Sequence, residues 1–195
     1  WQKVLGGEGQ HGILILGPRA VERINSHKPT WPMPKIFRLQ KKGELNEGIF
    51  RGETINTPSM LAVEDYIDAL TWAKSLGGLS ALKARANNNL AALEAWVNAR
   101  DWVDFLAPQE IRSNTSVCLK ITDPRVTALS AEDQQAFIKR MTKALEQEEA
   151  AFDIAGYRAA PPGLRIWCGA TIETSDIEAL TPWLDWAFDQ HVSSL

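Results

Sequence analysis

Three short segments carry side chains with chemical potential. Lys3 stands in Trp1-Gln2-Lys3-Val4-Leu5-Gly6-Gly7-Glu8-Gly9-Gln10-His11-Gly12, just ahead of an apolar run. A lysine amine attacks carbonyl carbons once burial or nearby charge lowers its pKa, and glycines let the loop approach a bound group closely. A solvated surface lysine would read the same way. The second segment is Glu53-Thr54-Ile55-Asn56-Thr57-Pro58. A helix start there offers a capping hydroxyl, free backbone N–H groups and the positive end of the helix dipole, a combination suited to phosphate. Ordinary capping needs the same residues. The third is Gly156-Tyr157-Arg158-Ala159-Ala160-Pro161-Pro162-Gly163-Leu164-Arg165. Two arginines sit in a proline-stiffened loop, and Arg165 enters an apolar strand where a guanidinium needs an anionic partner. That partner is either a bound carboxylate, which matches the paired N–H donors of arginine, or an internal Asp or Glu.

Other arrangements are chemically poorer. His11, His27 and His191 have no metal-ligand spacing with one another or with Cys118 and Cys168, so no metal site is expected. Gly6-Gly7-Glu8-Gly9 lacks the Lys-Ser/Thr that a phosphate loop requires, and no Gly-x-Gly-x-x-Gly is present. The eight tryptophans fall mostly on apolar faces, and Glu146, Glu148 and Glu149 read as a solvated helix face. With 21 Lys+Arg against 24 Asp+Glu and 45% hydrophobic residues, the 195-residue chain is globular. A net charge of −3 argues against a broad nucleic-acid surface, and no apolar run reaches the roughly 20 residues that span a bilayer. Both cysteines lie in apolar runs that read as buried strands, which suits free thiols in a reducing cytoplasm. The chain opens on Trp1 without a signal-peptide pattern, so a removed leader or the later part of a longer polypeptide is expected.

The elements that position these groups follow from periodicity. Residues 12–17 read as a strand buried on both faces, followed by a helix over 18–24 with Pro18 in its first turn. Prolines and glycines break residues 25–56 into a long irregular segment. Thr57 as N-cap and Pro58 at the first helical position open a helix that Gly77-Gly78 ends, and an alanine-rich helix covers about 80–99. Residues 116–121 read as a strand. Ser130 and Asp133 resemble a capping box for a helix carrying Phe137, Ile138, Met141 and Leu145. Strands are expected at 151–154 and 164–168, a short helix from Ser175 and a separate helix over 182–191. The later part is thus a small α/β unit with helices on one face of a sheet, and the Gly77-Gly78 break is the best domain boundary.

Together the three segments resemble the later half of the phosphoserine aminotransferases, pyridoxal-phosphate enzymes of aminotransferase fold type I, class V. The similarity is greatest to the alphaproteobacterial type, and it runs from Trp1 to about Phe188. It is most specific at 1–12, 46–60, 112–120 and 161–171. The resemblance implies an α/β fold in which residues 1–76 are the remainder of the large α/β/α cofactor-binding domain. Residues 77–195 then form the small C-terminal domain with its linking helix. It implies that Lys3 links covalently to the aldehyde of pyridoxal 5′-phosphate and moves the substrate Cα proton. Asn56 and Thr57 reach the cofactor phosphate across a homodimer interface. Arg165 holds the substrate α-carboxylate and Arg158 the substrate phosphate. Where some members carry His-Arg, this chain has Tyr157-Arg158, and His11 is a second positive candidate.

The implied reaction is reversible, cytoplasmic amino transfer between glutamate and 3-phosphohydroxypyruvate, giving 2-oxoglutarate and O-phosphoserine for serine biosynthesis. Use of a phosphorylated hydroxy-threonine in pyridoxine biosynthesis stays open, as do two other classes. One is an aminotransferase of the same fold acting on serine or alanine with glyoxylate or pyruvate; the other is a non-catalytic assembly module. In the family, the aspartate that pairs with the pyridine nitrogen, the stacking aromatic ring and the first glycine-rich phosphate loop lie upstream of the lysine. These 195 residues alone are therefore expected to bind cofactor poorly and not to turn over.

Overall fold

The computed structural model describes residues 1–195 apart from Glu8, Gln10, His11 and Arg158. The chain divides into two compact units, residues 1–2 with 7–70 and residues 3–6 with 71–195.

In the first unit, residues 12–17 do not form the expected strand. Ile13, Leu14 and Ile15 are 64%, 55% and 88% exposed, and among the described residues no segment pairs with them. Apolar character says that a segment prefers burial, but a strand also needs a neighbour for its backbone groups. Helix α1 (Pro18–Ser26) starts where Pro18 indicates and runs slightly past the expected end. Beyond it lies a small hairpin, β1 (Gln40–Lys41) and β2 (Glu44–Leu45), turned by Lys42 and Gly43 with φ of 58° and 87°. Positive φ at both turn positions matches the right-handed twist of the paired strands. Asn25 Oδ1 accepts the Leu45 N–H at 2.8 Å, tying the end of α1 to this hairpin.

Helix α2 (Met60–Leu76) begins later than expected. Thr57 is not the cap: Ser59 Oγ accepts the Ala62 N–H at 3.3 Å, so Pro58 precedes the helix. Both residues are good capping types, and the helix starts after the second of them. Gly77 and Gly78, with φ of 113° and 70°, end it where the sequence indicates.

The second unit continues with α3 (Leu79–Val97), β3 (Val103–Phe105), β4 (Ser116–Ile121), α4 (Pro124–Thr127), α5 (Ala131–Gln147), β5 (Gly163–Trp167) and α6 (Thr174–Val192). The strands form an antiparallel sheet in the order β3-β4-β5. Side chains alternate along β4: Val117, Leu119 and Ile121 are buried, while Ser116, Cys118 and Lys120 are half-buried. On the buried side these residues join Leu164 and Ile166 of β5. They pack there on Leu93 of α3, Phe137, Ile138, Met141 and Leu145 of α5, and Leu184 and Phe188 of α6. Helices therefore cover one face and leave the other open, as the period of two along each strand requires. Cys168 is buried, whereas Cys118 lies on the open face and is only half-buried, contrary to the expectation that both are buried; both are free thiols.

Ser130 caps α5 as expected, its Oγ accepting the Asp133 N–H at 3.1 Å. Residues 151–154 form no strand, although Ala151 and Ile154 are buried there and Ala155 makes an isolated bridge to Leu164. The tail is one helix rather than two, with Pro182 inside α6. Proline cannot donate to the carbonyl four residues back. That carbonyl, Glu178 O, instead accepts the Thr181 hydroxyl at 3.0 Å, so the Thr-Pro pair repairs the helix it would otherwise break. The Asp185 carboxylate on the same helix accepts the indole N–H groups of Trp96 and Trp102 and two N–H groups of Arg100, locking α6 to α3.

Candidate active site

Two of the candidate residues, Lys3 and Arg165, gather at the open face of the sheet. Leu164 and Ile166 point into the core, so Arg165 and Trp167 must point the other way. Antiparallel register sets Trp167 opposite Ser116 and Arg165 opposite Cys118. Gly163 begins the strand because a Cβ there would overlap the Leu119 carbonyl. Above this face is a cavity of about 300 Å³ whose lining includes Lys3, Ser116, Asp153, Tyr157, Arg165 and Trp167.

Lys3 reaches the cavity from the turn at the start of the chain. Gly6 N–H bonds back to Lys3 O at 3.3 Å, and Leu5 packs against the cluster of Ala73, Leu82 and Ala170. Gly6 has φ of 70° and lies so near Thr171 that a Cβ would come within 3.0 Å of its methyl group. Residues 3–6 are thus pinned through Leu5, while the Lys3 side chain stays exposed to the cavity.

The loop beneath them, 168–173, is held by two residues of α3. Asn89 is 1% exposed; its Nδ2 donates to the carbonyls of Cys168, Gly169 and Ile172, and its Oδ1 accepts the Thr174 hydroxyl. Arg85 donates to Ala170 O, Ile172 O and the Glu173 carboxylate. That hydrogen bond holds the Glu173 carboxyl below its ordinary pKa, against the opposing pull of desolvation. Sequence reading passed over both residues. A signal existed: Asn89 falls on the buried stripe Leu82, Ala86, Leu93, Trp96 of an otherwise ordinary amphipathic helix, where a polar side chain must find partners.

Arg165 does have an internal anionic partner. Its Nη2 donates to Asp153 Oδ2 at 2.9 Å and to Asp153 O at 3.3 Å, and its guanidinium lies 4.3 Å from the centre of the Tyr157 ring. Both bonds use the same nitrogen. The Trp167 indole donates to Thr171 Oγ1 at 3.1 Å, fixing the next residue on that face. Lys3 and Arg165 therefore share one cavity. Asn56 and Thr57 are exposed, lie ahead of α2 in the other unit, and are not among the residues lining it. Arg158 and His11 lie outside the described residues. A primary amine and a guanidinium on one cavity can hold a carboxylate and present a base or nucleophile to the carbon beside it.

No family model matches the chain. Curated proteins do, and the similarity is strong. The phosphoserine aminotransferase of Methanosarcina mazei is 57% identical over 190 residues, covering 97% of this chain and 49% of the relative. The resemblance is to phosphoserine aminotransferases. Solved structures agree on the fold. The enzyme from Bacillus circulans subsp. alkalophilus superposes with a TM-score of 0.59 at 17% identity, over 73% of this chain and 36% of that one. The pyridoxal-phosphate-bound enzyme from Trichomonas vaginalis gives 0.58 at 17% identity, over 70% and 36%. The mixed α/β structure thus matches part of the aminotransferase fold, and the chain spans about half the length of the curated relatives it matches.

Proposed function

We propose that this chain is the later half of a cytoplasmic, homodimeric phosphoserine aminotransferase that moves an amino group between glutamate and 3-phosphohydroxypyruvate. The observation that carries the reading is the shared cavity: an accessible lysine amine and a half-buried arginine on the open face of one sheet. These residues fit an aldehyde cofactor, because attachment needs an amine exposed to a cavity rather than one already engaged in the core, and Lys3 is such an amine. When bound, pyridoxal phosphate would supply an electron sink for the bond between the substrate Cα and its hydrogen.

The residues of the chain would do the rest. Lys3 would hold the cofactor and then carry the proton to and from Cα. Arg165 would grip the α-carboxylate of either substrate, fixing the Cα–H bond towards Lys3 and letting two substrates use one site in turn. The half-buried Trp167 ring would shield one side of that carboxylate from water and lower the effective dielectric around it. Asn56 and Thr57, ahead of α2, would serve the cofactor phosphate from a partner protomer, and Arg158 the substrate phosphate.

Reductive trapping tests this. Borohydride treatment of the cofactor-loaded full-length protein, followed by digestion and mass spectrometry, should recover the pyridoxyl group on the peptide containing Lys3. Recovery on another lysine, or on none, would remove Lys3 from the reaction and the reading with it.

A further inference from the structure

The pairing of Arg165 with Asp153 has a consequence for substrate entry, given the carboxylate site just proposed. Arginine grips a carboxylate with two parallel N–H bonds, either end-on through Nη1 and Nη2 or side-on through Nε and Nη2. Nη2 belongs to both grips, and it is the atom that Asp153 occupies. Among the described residues, Nε and Nη1 have no hydrogen-bond partner, so Asp153, through its carboxylate and its own carbonyl, occupies the one nitrogen that both bidentate arrangements need and leaves the other two unused. The two partners differ sharply in environment. The Arg165 side chain is 19% exposed, and that of Asp153 is 91% exposed. Asp153 sits on the cavity rim with φ of 53°, a left-handed conformation that Asp and Asn tolerate better than most residues.

We propose that Asp153 is a displaceable latch for Arg165. In the empty site its carboxylate holds the guanidinium over Tyr157 and neutralises it. An entering substrate carboxylate takes Nη2 together with a second nitrogen, and Asp153 swings into water, which an almost fully exposed side chain does at little cost. The latch keeps Arg165 oriented between turnovers and admits only ligands that form two bonds where the Asp153 carboxylate forms one, so a lone acceptor does not dislodge it.

The test is binding of glutarate, a dicarboxylate without an amine, to the cofactor-loaded full-length protein by titration calorimetry. Asp153→Asn keeps the left-handed backbone and removes the competing charge. Glutarate should then bind about two- to fivefold more tightly, the range spanned by a largely exposed ion pair. A scaffold role for Asp153 predicts the opposite sign, because the guanidinium would lose its orientation. Unchanged or weaker binding in Asp153→Asn overturns the latch. Arg165→Ala separates the two ideas: if it leaves glutarate binding intact, the carboxylate site itself is wrong. If it abolishes binding while Asp153→Asn gives no gain, only the latch fails.

Discussion

Replacing Asn89 offers a direct measure of how the site is supported. Its amide touches four groups, two buried and two partly buried, and they do not depend on it equally. Ile172 O keeps a bond from Arg85, and Gly169 O keeps the Ile172 N–H at 3.3 Å. Cys168 O and the Thr174 hydroxyl lose their Asn89 partner outright when the side chain is cut back to alanine. Each polar group orphaned in a buried place costs about 1–3 kcal/mol, so Asn89→Ala should lose about 3 kcal/mol. With a urea slope of about 2–3 kcal/mol/M for a unit of this size, the unfolding midpoint should fall by about 1 M. Tryptophan fluorescence is the natural probe, because Trp96 and Trp102 lie in or against the same core. Asn89→Asp sharpens the test. It preserves volume and keeps an acceptor for Thr174, yet turns an oxygen that cannot donate towards three carbonyl oxygens. It should therefore be at least as destabilising as alanine. An Asn89→Asp variant within about 0.5 kcal/mol of the parent would show that Asn89 acts by shape and not through its N–H groups, and would refute the reasoning.

Two further expectations concern titration. The Arg125 guanidinium, helped by the backbone N–H groups of Arg125 and Val126, holds the Asp123 carboxyl below its ordinary value of 3.8. A folded-state pKa below the unfolded one gives stability that is present above the unfolded value and lost as pH falls through the folded one. Urea midpoints should therefore drop steeply below about pH 4, and Asp123→Asn should flatten that part of the profile; an equally steep fall in the variant would assign it elsewhere. Burial pushes the Cys168 thiol up to about 12. In the native protein at about pH 8 an alkylating reagent should spare Cys168 until urea is added, while half-buried Cys118 reacts first, and native labelling of both at equal rates would contradict the burial.

How much of this was legible in the residues depended on the range of the interaction involved. Proline in the first turn of α1, the Ser130 cap and the Gly77-Gly78 stop act over three or four residues, and the structure has them as read. The alternation in β4 is local too, and it assigns Val117, Leu119 and Ile121 to the core. Where two local signals competed, the reading failed. Ser59 took the cap from Thr57, and the Thr181 hydroxyl let α6 run through Pro182. The run 12–17 shows a different limit, since a strand is a relation between two segments and hydropathy describes one.

The site divides along the same line. The residue types in the chain already name the chemistry proposed for it: an amine at Lys3, a guanidinium at Arg165, and segments around them that resemble a known family. That the two share a cavity follows from strand register and from Leu5 pinning the first turn, contacts between residues from 43 positions apart (Lys120 and Gly163) to 165 (Leu5 and Ala170) that no spacing rule can reach. The choice left open for Arg165, a bound carboxylate or an internal one, was of this kind. Folding brought Asp153 to Nη2, because the loop before β5 doubles back over its own strand, and so placed an exposed aspartate where the proposed substrate must bind.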